Sequence, residues 1–240
     1  MGRAFEYRKA RKMKRWGQMA KVFTKIGREI ALAVKNGGPE ADSNPKLRIA
    51  IQNAKIANMP KKNVEAAIQR ATSKDAENLE EIVYEGYGPH GIPFIVECLT
   101  DNTVRTVANV RFYFSKEKGS LGTSGSVSFM FDRKGEFVFE LGDRNIEDLE
   151  MELIDGGADE IEENDGKVYV YTAYEDFGTM QNHLETMGIE VEEASLQRFA
   201  NVTKEVTPEE RADLEALIDR FDDDEDVQNV FHGMADEEDE

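Results

Sequence analysis

The 240-residue chain is 40% hydrophobic and 33% charged, carries a formal charge of −19 and holds one cysteine. This is the composition of a folded globular chain, long enough for one large core or two to three small ones. Cys98 alone rules out an intrachain disulfide framework and a cysteine-cluster zinc site, and the longest purely apolar run, Ile30 to Val34, is far short of the ~20 residues of a membrane helix.

The charge is divided unevenly. Residues 1–72 hold 17 Lys+Arg against 5 Asp+Glu (+12), and the other 168 residues hold 13 against 44 (−31). A basic segment on an acidic body signals a polyanionic partner. The start is basic but has no apolar signal core, so the expected setting is a reduced cytoplasm, away from membranes.

The stretch YRKARKMKRWGQMAKVFTK (7–25) contains no acid and sets Tyr7, Trp16 and Phe23 among cations. Cations that meet phosphates release condensed counterions, and aromatics among them can stack on unpaired bases. The candidate nucleic-acid contacts are Arg8, Lys9, Arg11, Lys12, Lys14, Arg15, Trp16, Lys21, Lys25, Arg28, Lys46, Lys55, Lys61 and Lys62. The plainer alternative is a solvated helix face, with Val22 and Phe23 as core.

From Gln18 to Lys35, apolar residues at steps of three and four predict a helix, with Lys21, Lys25, Arg28 and Lys35 in a row on another face. Gly37 and Gly38 stop it. Asn44 caps a second helix that has Pro45 at its first position, and a third helix follows Pro60. GIPFIVECLT predicts a strand, DNTVRTVANVRFYFSK a helix capped by Asp101, and GSVSFMFDRKG another strand. Cys98 falls mid-strand, as packing rather than as a nucleophile.

Thr100, Asp101, Asn102 and Arg105 make either a capping network or a functional surface; Arg105 and Lys134 are carried as a secondary surface. GSLGTSGS (119–126) resembles a phosphate cradle but lacks the P-loop lysine and precedes a strand, so a flexible turn is expected.

Residues 135 to about 195 spell β-α-β-β-α-β, the ferredoxin-like order. The first of its helices has Ile146, Leu149, Leu153 and Ile154 inward, and its hairpin turns at Asn164-Asp165-Gly166. Thr207-Pro208-Glu209-Glu210 is a capping box, and a last strand is expected at Val227 to Phe231. DDDED (222–226) lacks the Gly and Glu of an EF-hand loop and is expected to be a charged helix terminus. The scattered histidines form no metal or catalytic spacing. No metal, cofactor or enzymatic activity is expected.

The fold class expected is α+β in three domains: a basic helical domain (1–75), an α+β domain (76–133 with 200–240), and an inserted ferredoxin-like domain (134–199). KVFTKIGREI, NPKLRIAIQNAKIANMPKKNV, YEGYGPHG, LTDNTVRTVANVR and GSLGTSGSVSFMFDRKG together resemble the YebC family over essentially the whole chain. The resemblance implies a helical N-terminal domain and two α+β domains, in a probable DNA-binding transcriptional regulator. Mitochondrial relatives act as translational activators of cytochrome c oxidase, which implies a second role, at the ribosome.

Lys21, Phe23, Lys25, Arg28, Lys46, Lys55 and Lys61 match the family motifs. The tip Gly2-Arg3-Ala4-Phe5-Glu6-Tyr7-Arg8 departs from the commoner Gly-His-Ser-Lys-Trp.

The expected function is therefore a non-enzymatic DNA-binding regulator of transcription. The alternatives are a ribosome-associated translation factor that meets ribosomal RNA and, through the acidic body, basic proteins; or a scaffold whose basic arm docks on an acidic protein, its own body included.

Overall fold

The computed structural model describes residues 19–73 and 78–235. Its first unit is three helices, α1 (Met19–Gly37), α2 (Pro45–Ile56) and α3 (Lys61–Ala71). Ile26, Ile30 and Val34 of α1 close on Leu47 and Ala54 of α2 and on Val64 and Ala67 of α3.

Asn44 fixes the corner between α1 and α2. Its Oδ1 accepts from the Leu47 N–H at 3.1 Å, and its Nδ2 donates to the carbonyls of Ala33 and Gly38, both at 2.8 Å. A Cβ on Gly37 would lie 2.7 Å from that side chain, so the corner accepts only glycine there.

The second unit is an antiparallel sheet in the order β3-β1-β2-β8. It comprises β1 (Glu80–Tyr87), β2 (Pro93–Thr100), β3 (Ser120–Leu121) and β8 (Val227–His232), packed under α4 (Thr103–Lys116) and α7 (Pro208–Asp223). Phe94, Phe114 and Phe221 centre its core.

The third unit spans β4 (Phe131–Glu140), α5 (Ile146–Asp155), β5 (Ala158–Asn164), β6 (Lys167–Ala173), α6 (Phe177–Thr186) and β7 (Val191–Ala200). Its sheet order is β5-β6-β4-β7, and Phe137, Phe139, Val168 and Val170 face the two helices. The chain is thus α+β, with the third unit inserted between β3 and α7 of the second. Both sheets have the ferredoxin-like spatial order. In the second unit, however, β1 fills the third place from upstream of β2, where the usual connection would supply it from downstream.

Three local expectations change, and one strand, β1, adds to those expected. β1 has no clean alternation, because Glu85 and Gly86 are its most buried residues, yet it pairs with β2 from Glu80↔Thr100 to Tyr87↔Pro93. GSVSFMFDRKG does not form a strand of its own; β4 starts at Phe131, runs through Gly135 and lies in the other sheet. Asn102, not Asp101, caps α4, accepting from the Arg105 N–H at 3.0 Å. Ile154 is exposed, since α5 presents Ile146, Leu149 and Leu153 to the core.

Candidate nucleic-acid interface

The row of cations on α1 forms, but it faces inward. Lys21 Nζ lies 2.7 Å from an oxygen of Asp223, and Lys25 Nζ donates to the Asp222 carbonyl at 3.3 Å. Arg28 Nη1 donates to the carbonyls of Leu99 (3.2 Å) and Glu225 (2.6 Å) and to Asp226 Oδ1 (2.7 Å). Lys35 reaches the Asn78 side chain at 2.7 Å and the Leu79 carbonyl at 3.2 Å.

Lys21, Lys25 and Arg28 therefore join the helical unit to the second unit and leave the candidate interface. The C-terminal end of α7 is negative both from its unpaired carbonyls and from its carboxylates, and it attracts cations. DDDED is the receptor for α1. Nothing local in the sequence signals this pairing, because Arg28 and Asp226 are 198 residues apart.

Asp226, only 3% exposed, is the centre of this latch. Its oxygens also accept from Arg105 Nε (3.2 Å) and Nη2 (2.8 Å), Thr100 Oγ1 (3.1 Å) and Thr106 Oγ1 (2.8 Å). Burial pushes its carboxyl up, but the bonds from Arg105, Thr106 and Arg28 outweigh that and hold it below its ordinary value. LTDNTVRT is thus a structural network. Arg105 also pairs with Asp101 at 2.8 Å, and Lys134 lies 3.7 Å from Glu160, so both leave the secondary surface because carboxylates engage them.

GSLGTSGS does make an anion cradle, and Glu85 fills it. The N–H groups of Gly125, Val127 and Ser128 donate to the Glu85 carboxylate at 2.7, 2.8 and 2.8 Å. Burial raises this carboxyl, and the three backbone donors bring it below its ordinary value. The loop is held rather than flexible, and its donors serve an internal anion. Cys98 is buried on β2, its thiol pushed well up by burial, a core residue rather than a nucleophile.

Lys46, Lys55, Lys61 and Lys62 stay exposed on α2 and α3. Lys61 approaches Glu65 at 3.9 Å in an exposed pair, which is worth little. Lys46 is in the first turn of α2, and Lys61 and Lys62 begin α3; neither first turn contains an acid, and Pro60 offers α3 no side-chain cap. Lysines at the positive end of a helix oppose the macrodipole. At α3, whose start has no side-chain cap, they suit an anion. Arg8, Lys9, Arg11, Lys12, Lys14, Arg15 and Trp16 lie outside the described residues.

The comparisons divide the chain at the same place. Residues 3–74 match the model described as the TACO1/YebC protein N-terminal domain, and residues 79–234 match the TACO1/YebC second and third domain. The chain belongs to the TACO1/YebC family. Its relatives in this family include a "probable transcriptional regulatory protein" of Porphyromonas gingivalis, 56% identical over 239 residues and covering 99% of both chains. Another, of Sulfurimonas denitrificans and with the same description, is 52% identical over 98% of this chain and 100% of that protein. Among solved structures, a conserved hypothetical protein of Aquifex aeolicus superposes with a TM-score of 0.78 at 35% identity, covering 92% of each chain.

Among the described residues, no helix is long and apolar enough to cross a membrane, and no group of three His, Cys, Asp or Glu side chains could hold a metal.

Proposed function

We propose that this chain is a non-enzymatic, nucleic-acid-binding regulator of transcription that grips phosphate backbone with the exposed lysines of α2 and α3 and with its N-terminal arm. The observation that carries this is the pair of acid-free helix starts at Lys46 and at Lys61-Lys62, where exposed lysines stand at the positive end of each helix. The names of the relatives support a regulatory role. Backbone contact of this kind positions a protein without reading bases, so sequence preference is low.

The test is the salt dependence of duplex binding by the full chain. Six to eight phosphate contacts give a slope of log K against log salt of about −5 to −7, and changing Lys46, Lys55 and Lys62 together to Ala flattens it by about 2.7. A slope near zero, or one unchanged in the triple variant, removes the proposal. The −31 body suits docking among basic ribosomal proteins. Cosedimentation with ribosomes and a preference for structured RNA over duplex would move the same grip to translation.

A further inference from the structure

Two helices leave apolar side chains in water. Val104 and Phe112 of α4 are 76% and 55% exposed, and Met151 and Ile154 of α5 are 68% and 60% exposed. Among the described residues, six large apolar side chains are more than half exposed, and these two helices carry four of them. Val104, Ala108 and Phe112 follow one another at steps of four, and Met151 and Ile154 are three apart, so each set makes one stripe. A single exposed apolar residue needs no partner; a stripe of them marks a contact surface.

The two stripes are flanked by opposite charges. At 100° per residue, exposed Glu150 and Asp155 fall on either side of Met151 and Ile154, and exposed Arg111 and Lys116 fall on either side of the Val104–Phe112 line. Residues 145–166 hold ten Asp or Glu and no Lys or Arg, whereas residues 102–116 hold no acid at all, in a half of the chain that has 44. Helix ends do not account for the α5 carboxylates. Glu147 and Asp148 suit its start, but Glu152 and Asp155 stand in a last turn with no basic residue, where they oppose the macrodipole. On α4, Lys116 Nζ lies 5.6 Å from the centre of the Phe112 ring, so charge and apolar surface are one patch.

Each helix offers what the other lacks. Within one copy they belong to different units and both stripes stay exposed, so the cover comes from outside. A basic protein would match α5 alone, and an acidic protein or a polyanion would match α4 alone. A second copy of this chain matches both, because it brings the opposite charge and an apolar stripe to each.

We propose that the chain self-associates by setting α4 of one copy against α5 of another. Val104 and Phe112 meet Met151 and Ile154, between Arg111 and Lys116 on one side and Glu150 and Asp155 on the other. The two patches differ, so the contact is heterologous: two copies exchange both helices, or copies continue head to tail. One helix pair is a small interface, so the association is weak and loosens as salt rises. The inference does not depend on the nucleic-acid function and is tested without nucleic acid.

Sedimentation of the full chain at low salt, from about 1 to about 100 µM, should show the mean mass rising above that of one copy. Arg111→Glu/Lys116→Glu makes both patches acidic, and Glu150→Lys/Asp155→Lys makes both basic. Each variant alone should raise the dissociation constant at least about tenfold. Mixed in equal amounts they should associate again, since the acidic α4 of one now meets the basic α5 of the other. All four positions are exposed, so the variants keep the core, and far-ultraviolet circular dichroism checks that they do. A monomer throughout the range overturns the proposal. So does association that either reversal leaves unchanged, or a mixture that stays dissociated while both variants are folded. The salt slope of duplex binding is read separately, so either claim can fail while the other stands.

Discussion

Helix starts differ most between α5 and α7 in the acidic half and α2 and α3 in the basic half. In the acidic half, α5 begins with Glu147 and Asp148, and α7 begins with Glu209 and Glu210 behind a complete capping box at Thr207. Carboxylates there satisfy the positive helix end. In the basic half, the first turns of α1, α2 and α3 contain no acid, and α2 and α3 place lysines there. At α5 and α7 the acidic half balances its own fields. The basic half pairs the cations of α1 with the C-terminal end of α7 and leaves the lysines that begin α2 and α3 exposed.

The largest test of this contrast is at the seam between the halves. Asp226→Ala leaves Arg28 and Arg105 facing each other without the buried carboxylate, and breaking such a pair costs about 3–5 kcal/mol. Urea unfolding of the full chain measures it. A loss below about 1 kcal/mol would mean that the latch does not join the units.

Next comes the internal cradle. Glu85→Gln removes a charge from three backbone donors and should cost about 1.5–3 kcal/mol. Glu85 and Asp226 both sit below their ordinary values when folded. Their stabilisation is therefore complete above about pH 4–4.5 and is lost as pH falls through the folded values. Acid unfolding should begin below pH ~4 and should be shallower in Glu85→Gln.

The smallest effect is the most pointed. Lys62→Glu should stabilise α3 by about 0.3–1 kcal/mol, because an acid suits its first turn, while weakening nucleic-acid binding; at Lys61 the same change sets a second carboxylate against Glu65 and cancels the gain. A gain in thermal stability paired with lost affinity marks Lys62 as functional. Loss of both would make it structural.

Much of the fold was legible along the chain. The capping box at Thr207, the Asn44-Pro45 start and the Asp165-Gly166 hairpin turn (both residues at positive φ) are local chemistry and formed where expected. The misplaced elements were those that distant partners decide. β1 exists because β2 offers it eight paired residues, and the loop before β4 is held by a carboxylate 40 to 43 residues upstream. The candidate site was legible in charge but not in orientation: Lys25 and Lys46 look alike in sequence, yet the first donates to a carbonyl of α7 and the second is exposed.

Composition alone established the division of charge, and periodicity established the helices that carry it, because both depend on residues within a few turns of one another. Which cations remain available was settled only by packing. A helical stripe shows that a face exists, but its neighbour is whatever the fold brings beside it. Here that neighbour is an acidic helix end about 200 residues away, close enough in space for direct hydrogen bonds, and it claims Lys21, Lys25 and Arg28.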